Sequence, residues 1–292
     1  MEYSQKRTMP LFGISGVDES FYGTKGCKHT FQVPQWLQGI GLNAFEYSFG
    51  RGINIGEETA SKVGAQVTEY GTAMSAHAPY FVSYASSDPQ KVENSHKYLL
   101  DSCRTIGLMG GKRVIVHCGV QNKEHSSREQ SVTQIAENLQ VLAQKMDQDG
   151  FLDTIMCLET MGRYTQIGDY KEIAQFCTID KRFIPCFDFG HINCTMQGSL
   201  QKAEQYQEIF EHCIAVMGRD KVQNCHIHFS KIQFGAAGEI KHIDFDDTVF
   251  GPNFEPLAQT LKKMKLTPTI VCESSTTRAK DALYMQACYG AL

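Results

Sequence analysis

Six short β-branched or apolar runs in this chain stop at a side chain able to ligate a metal ion. They are Thr72-Ala-Met-Ser-Ala-His77, Arg113-Val-Ile-Val-His117, Ile155-Met-Cys-Leu-Glu159, Ile184-Pro-Cys-Phe-Asp188, Asn224-Cys-His226 and Thr269-Ile-Val-Cys-Glu273. One such coincidence carries little weight. Repeated run after run, it means that strand ends converge and present imidazoles and carboxylates to one region. That is the pattern of a metal centre at the mouth of a parallel barrel.

The spacing of the runs agrees. Strand-like segments, starting near Leu11, Ala44, Thr72, Arg113, Ile155, Ile184, Asn224 and Thr269, alternate with amphipathic stretches, the pattern of successive βα units. After Ser126 the residues Val132, Ile135, Ala136, Leu139, Leu142, Ala143 and Met146 recur at helical spacing, and Ser126-Ser-Arg-Glu129 reads as a capping box. Tyr206, Ile209, Phe210, Cys213, Ile214 and Met217 repeat that stripe. The expectation is an α/β chain, one (β/α)8 barrel domain over residues 1–292, with the metal site at the C-terminal face of the strands. The length suits it, since such barrels commonly run to about 250 residues. Pro185 fits a central strand poorly and is placed at the strand's first residue. Residues 229–252 form the longest stretch without periodicity, and irregular loops beyond about 12 to 15 residues are usually functional.

Composition narrows the class. The chain is 42% hydrophobic, enough for a sizeable core, yet no apolar stretch approaches the ~18 residues of a membrane span. The polar start, Met1-Glu-Tyr-Ser-Gln-Lys-Arg, has no apolar signal region, so a cytoplasmic location is expected. Eleven cysteines, an odd number with no Cys-x-x-Cys, read as small buried hydrophobes and not as a disulfide framework. Cys118 and Cys194 lie close to proposed ligands, but imidazoles and carboxylates already suffice. The formal charge of −4 argues against a nucleic-acid partner only for the metal-free chain. Three divalent ions would bring it to about +2.

Glu159 and Glu273 each close an apolar strand, where a carboxylate is costly unless paired or bound to a metal. His77 and His117 share that position. Asp188-Phe-Gly-His191 sets two ligand types three residues apart just past a strand. His226 and His228 would point to the same side of a strand, and one ligand is enough. The other would support it or line the cleft. Glu239 and His242, in the long loop, offer a further carboxylate and imidazole, with Asp244, Asp246 and Asp247 as nearby substitutes. The run Leu261-Lys-Lys-Met-Lys reads as a solvated helix end.

The set His77, His117, Glu159, Asp188, His191, His226, Glu273, in this order and each on its own barrel strand or just past it, resembles the endonuclease IV family of apurinic/apyrimidinic endonucleases, within the xylose isomerase-like barrels. The resemblance spans about residues 11 to 275. It implies a hydrolase of phosphoric ester bonds that cuts DNA 5′ to abasic sites in repair, using hydroxide activated by two or three zinc ions. Manganese could replace zinc at one position. The resemblance implies that His77, His117 and Glu159 hold the first ion, and that Glu159 bridges to a second held by Asp188, His226 and Glu273. His191, Glu239 and His242 are then the candidates for a third. Here the chain departs from the family's Asp-x-His pair: with Lys231 fixing the register, Glu239 falls at the aspartate and His242 one residue late. Glu159 and Glu273 would be catalytic, and Tyr80 would lie near the DNA backbone. The implied partner is double-stranded DNA with abasic sites, bound by a monomer without membrane attachment.

A rival keeps the barrel and changes the reaction. Sugar isomerases and epimerases of the same superfamily use one divalent ion, for which Glu159, Asp188, His226 and Glu273 would suffice. A single ion leaves His77, His117 and His191 without a purpose. A third class, a binding protein on an inherited barrel, predicts no turnover.

Overall fold

The computed structural model describes residues 7–292, so nearly all of the N-terminal stretch read above for a targeting signal lies outside the described residues. The strands are β1 (Leu11–Ser15), β2 (Ala44–Ser48), β3 (Ala73–His77), β4 (Arg113–Val116), β5 (Ile155–Glu159), β6 (Phe183–Asp188), β7 (His226–Phe229), β8 (Lys231–Gly235), β9 (Gly238–Ile243) and β10 (Thr269–Cys272). Eight of them close into a barrel in the order β1-β10-β7-β6-β5-β4-β3-β2, every neighbouring pair parallel. Helices connect them. This is the (β/α)8 barrel that the alternation of runs predicts.

Side chains alternate across each strand, so every second residue faces the barrel interior. Phe12, Ile14, Phe45, Met74, Val114, Val116, Met156, Leu158, Phe187, Ile227 and Ile270 belong to the main core beneath the helices. Ile115, Cys157, Ile184 and Cys186 form a separate small cluster inside the barrel. The remaining interior positions are unusual for this architecture, whose interior is commonly filled by Val, Ile and Leu. Gly13, Ser15, Glu46, Ser75, His226 and His228 alternate with main-core residues on β1, β2, β3 and β7. Gly13 is required there, because a Cβ would fall 1.8 Å from the Ala44 carbonyl oxygen.

The helices follow the stripes. In the helix Arg128–Gln148, Ile135, Leu139, Leu142, Ala143 and Met146 are buried. Its N-cap is Ser127, whose side chain accepts from Gln130 N, while Gln130 Oε1 accepts from Ser126 N, so the capping box read from Ser126 to Glu129 does not form. The helix Ala203–Met217 buries Tyr206, Ile209, Phe210 and Cys213. The lysine-rich run closes the helix Glu255–Met264, with Lys262 and Lys263 in its last turn.

Two expectations are corrected. Pro185 is the third residue of β6, paired with Leu158, and not its first. It is tolerated because the pairing of β6 with β7 begins only at Cys186. The long segment after β7 is not irregular throughout, since β8 and β9 pair as an antiparallel hairpin with a register shift at Gln233/Phe234. All eleven cysteines are free, nine of them buried. Among the described residues no helix is long and apolar enough to cross a membrane.

Candidate metal centre

Five of the candidate side chains are delivered by strand ends. His77, Glu159 and Asp188 are the last residues of β3, β5 and β6, while His117 and Glu273 lie one residue beyond β4 and β10. Asp188 also caps the helix Phe189–Thr195, its Oδ1 accepting from His191 N at 2.7 Å. The Asp-Phe-Gly-His spacing is thus a helix start that turns His191 back over the strand. Glu239 and His242 arrive on β9. The hairpin is pinned to the loop after β5, where Glu239 N donates to Gly162 O at 2.9 Å. Two glycines allow this approach: a Cβ on Gly238 would lie 2.2 Å from Gly162 O, and one on Gly162 would lie 2.7 Å from His191 Cδ2.

Three adjoining groups result at the mouth: His77, His117 and Glu159; Glu159, Asp188, His228 and Glu273; and Asp188, His191 and His242; a fourth, Cys186, His226 and His228, lies wholly buried deeper along β6 and β7. Glu159 belongs to the first two. Its Oε2 lies 3.1 Å from His77 Nε2 and 2.9 Å from His117 Nε2, while its Oε1 lies 3.1 Å from His228 Nδ1. Asp188 belongs to the second and third. Glu273 Oε2 is 3.4 Å from His228 Nδ1, and Glu239 Oε2 is 3.5 Å from His191 Nε2.

The imidazoles are held from behind. His77 Nδ1 donates to Ala78 O at 2.8 Å, which turns Nε2 toward Glu159 Oε2 at 3.1 Å. His191 Nδ1 donates to Thr160 O at 2.9 Å, leaving Nε2 toward Glu239. His242 Nδ1 meets Ser230 Oγ at 2.7 Å. Metal-binding histidines are oriented in this way, with the second nitrogen tied to a carbonyl or other acceptor. Asp188 Oδ2 completes the case: it is buried and accepts no hydrogen bond, although His191 Nδ1 is 3.4 Å away, because that nitrogen is aimed at Thr160. A buried carboxylate oxygen without a donor calls for a cation. The donor set of imidazoles and carboxylates fits a divalent metal ion.

The electrostatics reflect the crowding. Burial opposes charge on Glu159, yet His117 and His228 outweigh it and hold the carboxyl well below its usual range. Burial pushes Asp188 up, and Glu273 and Glu159 add to the rise. For His77, burial is outweighed by Glu159, which raises it to about 9. For His191, burial is likewise outweighed, chiefly by Asp188 and Glu159, again to about 9. Burial presses His226 the other way, to about 4.

Strand seven offers its two imidazoles at different depths: His226, expected among the ligands, starts the strand, pairs with Cys186 and belongs to the deeper group, while His228 pairs with Asp188, two residues nearer the mouth. His228 faces Glu159 and Glu273. His226 faces Glu46, 3.0 Å from Nε2 to Oε2. Glu239 and His242, expected in an irregular loop, lie beside His191, because the β9 register sets both toward it. Asp244 is engaged elsewhere, accepting from Thr276 N and Thr277 N. Tyr80 lies on the exposed rim, where its hydroxyl accepts from Arg51 Nε at 3.0 Å. Cys118 and Cys194 are in none of the groups, and burial pushes both thiols up. Glu46 was missed. It stands in the middle of Ala44-Phe-Glu-Tyr-Ser48, a carboxylate inside a strand and not at its end, and the cost of burying such a charge is the signal that could have found it.

Comparison with known proteins agrees with the architecture. A family model described as xylose isomerase-like TIM barrel matches residues 34–288. An uncharacterised protein of Methanocaldococcus jannaschii is 29% identical over 289 residues, 98% of this chain and 99% of the relative. A probable endonuclease 4 of Staphylococcus carnosus is 26% identical over 191 residues, 61% of each chain. Among solved structures, a D-tagatose 3-epimerase-like protein superposes with a TM-score of 0.72 at 14% identity, covering 96% of this chain and 97% of the other. Endonuclease IV from Thermus thermophilus gives 0.70 at 16% identity, covering 97% and 100%. At such identities the two structures establish the fold alone.

Proposed function

This chain belongs to the xylose isomerase-like TIM barrel family, and from that premise we propose that it is a metal-dependent phosphodiesterase cutting duplex DNA 5′ to abasic sites. The observation that carries the reading is the sharing of Glu159 and Asp188 among three adjoining ligand groups. A one-metal sugar epimerase needs only Glu159, Asp188, His228 and Glu273. It leaves His77, His117, His191 and His242 without a task, although three of these four have a second nitrogen already tied down. Among the relatives described above, the sequence match to an endonuclease supports the same choice.

We infer that His77 and His117 with Glu159, then Glu159, Asp188, His228 and Glu273, then Asp188, His191, Glu239 and His242 would hold two or three zinc ions, with manganese possible at one position. Such ions, when bound, lower the pKa of water and neutralise charge on a phosphoryl group in flight. The chain's own part is positional. Glu159 fixes the spacing of the first two groups through its two oxygens. Glu273, on the least enclosed side of the second group, is placed to take a proton from the attacking water. Arg51 and Tyr80 on the rim would meet the phosphate backbone, and an abasic nucleotide costs little to extrude toward the mouth.

The test is incision of a duplex carrying one abasic analogue by zinc-loaded protein, read as a single nick on the 5′ side of the lesion. A nick there, absent from an intact duplex, is expected. No nick, together with 3-epimerisation of a ketose, would replace the nuclease with the epimerase.

A further inference from the structure

Glu46 lies inside the barrel, wholly buried on β2, and takes no part in the three ligand groups. Its two oxygens nonetheless face different partners. Oε2 is 3.0 Å from His226 Nε2 and 3.1 Å from Ser75 Oγ, while Oε1 is 3.0 Å from His228 Nε2 and 3.4 Å from Ser15 Oγ. Both imidazole contacts are close but bent away from the N–H direction. The small residues around it make the space: Gly13 and Ser15 on β1, Ser75 on β3. A buried carboxylate with four polar neighbours is an arrangement that the sequence must maintain, since removing any one leaves the others unpaired.

The consequence falls on His228. Its Nδ1 faces Glu159 and Glu273, and its Nε2 faces Glu46. A histidine offers a metal one nitrogen and needs an acceptor for the proton on the other. For His77 and His191 that acceptor is a main-chain carbonyl. For His228, Glu46 Oε1 lies 3.0 Å from that nitrogen, with Cys186 beside the same imidazole. We propose that Glu46 is a positioning residue: it keeps the proton of His228 on Nε2, turns Nδ1 toward the second ligand group, and is itself held in place by His226 and Ser75. This rests on the metal-centre reading above. It also gives His226 a role, as the prop of Glu46 in place of a ligand.

The test has two arms. In the zinc-loaded wild-type protein, long-range 1H–15N correlation of the histidine side chains reads the tautomer of His228 directly. Protonated Nε2 with a metal-shifted Nδ1 is expected, and the reverse tautomer overturns the proposal without any variant being made. In the second arm, Co2+ titrations compare wild type, Glu46→Gln and Glu46→Asp, with circular dichroism checking the fold. Loss of an oriented partner behind a ligand typically costs about 10- to 100-fold in metal affinity. That loss is expected for Glu46→Gln, with partial rescue in Glu46→Asp, which keeps the charge, and with an altered visible Co2+ spectrum. Unchanged affinity, spectrum and tautomer in a folded Glu46→Gln protein would overturn it. Wild-type protein that takes up no Co2+ would instead sink the metal-centre reading, a separate failure.

Discussion

His77 and His191 are alike in donating Nδ1 to a main-chain carbonyl and holding Nε2 toward a carboxylate. Both are raised to about 9 from an ordinary value of 6.5, as carboxylate neighbours outweigh burial. A histidine raised on folding contributes stability that is fully present below its unfolded value and is lost as pH rises through the folded one. Metal-free protein should therefore lose stability between pH 6.5 and 9, and denaturant midpoints across that range check it. A flat profile would count against the geometry. The same protons must leave before a metal binds, so zinc uptake in weak buffer near neutral pH should release protons and strengthen as pH rises. Glu273→Gln should lower turnover by about 100-fold or more, as expected for a general base, with unchanged circular dichroism. An unchanged rate would remove Glu273 from the reaction.

At the scale of elements, what the sequence could reveal depended on whether an element announced its own register. β3, β5 and β6 each end on a candidate ligand, so His77, Glu159 and Asp188 could be read from where an apolar run stops. β7 is only His226–Phe229, with histidines at two positions of the same face, and nothing local says which is nearer the mouth. Pairing with Asp188 on β6 sets His228 nearer the mouth, and such cross-strand register is a tertiary fact. Glu239 and His242 were obscured for a related reason, since the hairpin that turns them inward follows a register shift and docks on Gly162. Glu46 was legible in principle, but a mid-strand carboxylate gave no strand-end mark. Docking of the hairpin can be tested on its own. Gly238→Ala places a Cβ 2.2 Å from Gly162 O at a φ of +99°, and should cost about 1 to 3 kcal/mol. Metal bound near His191 should weaken or disappear while the His77, His117 and Glu159 group is kept. Unaltered metal content would mean that the hairpin does not contribute to the centre.

For the whole molecule, six of the eight barrel strands bring side chains from residue 77 to residue 273 into groups whose candidate ligand atoms lie within 4.8 Å of one another. The barrel itself does not select the reaction, because the same architecture carries epimerases and endonucleases. What selects is the number of ligand groups at the mouth. Elemental analysis of purified, metal-saturated protein counts them directly. Two or three equivalents of zinc or manganese per chain are predicted, falling when Glu159, which joins two groups, is replaced by Gln. A single equivalent, unaffected by His77→Ala and His117→Ala, would contradict the multinuclear centre and with it the phosphodiesterase.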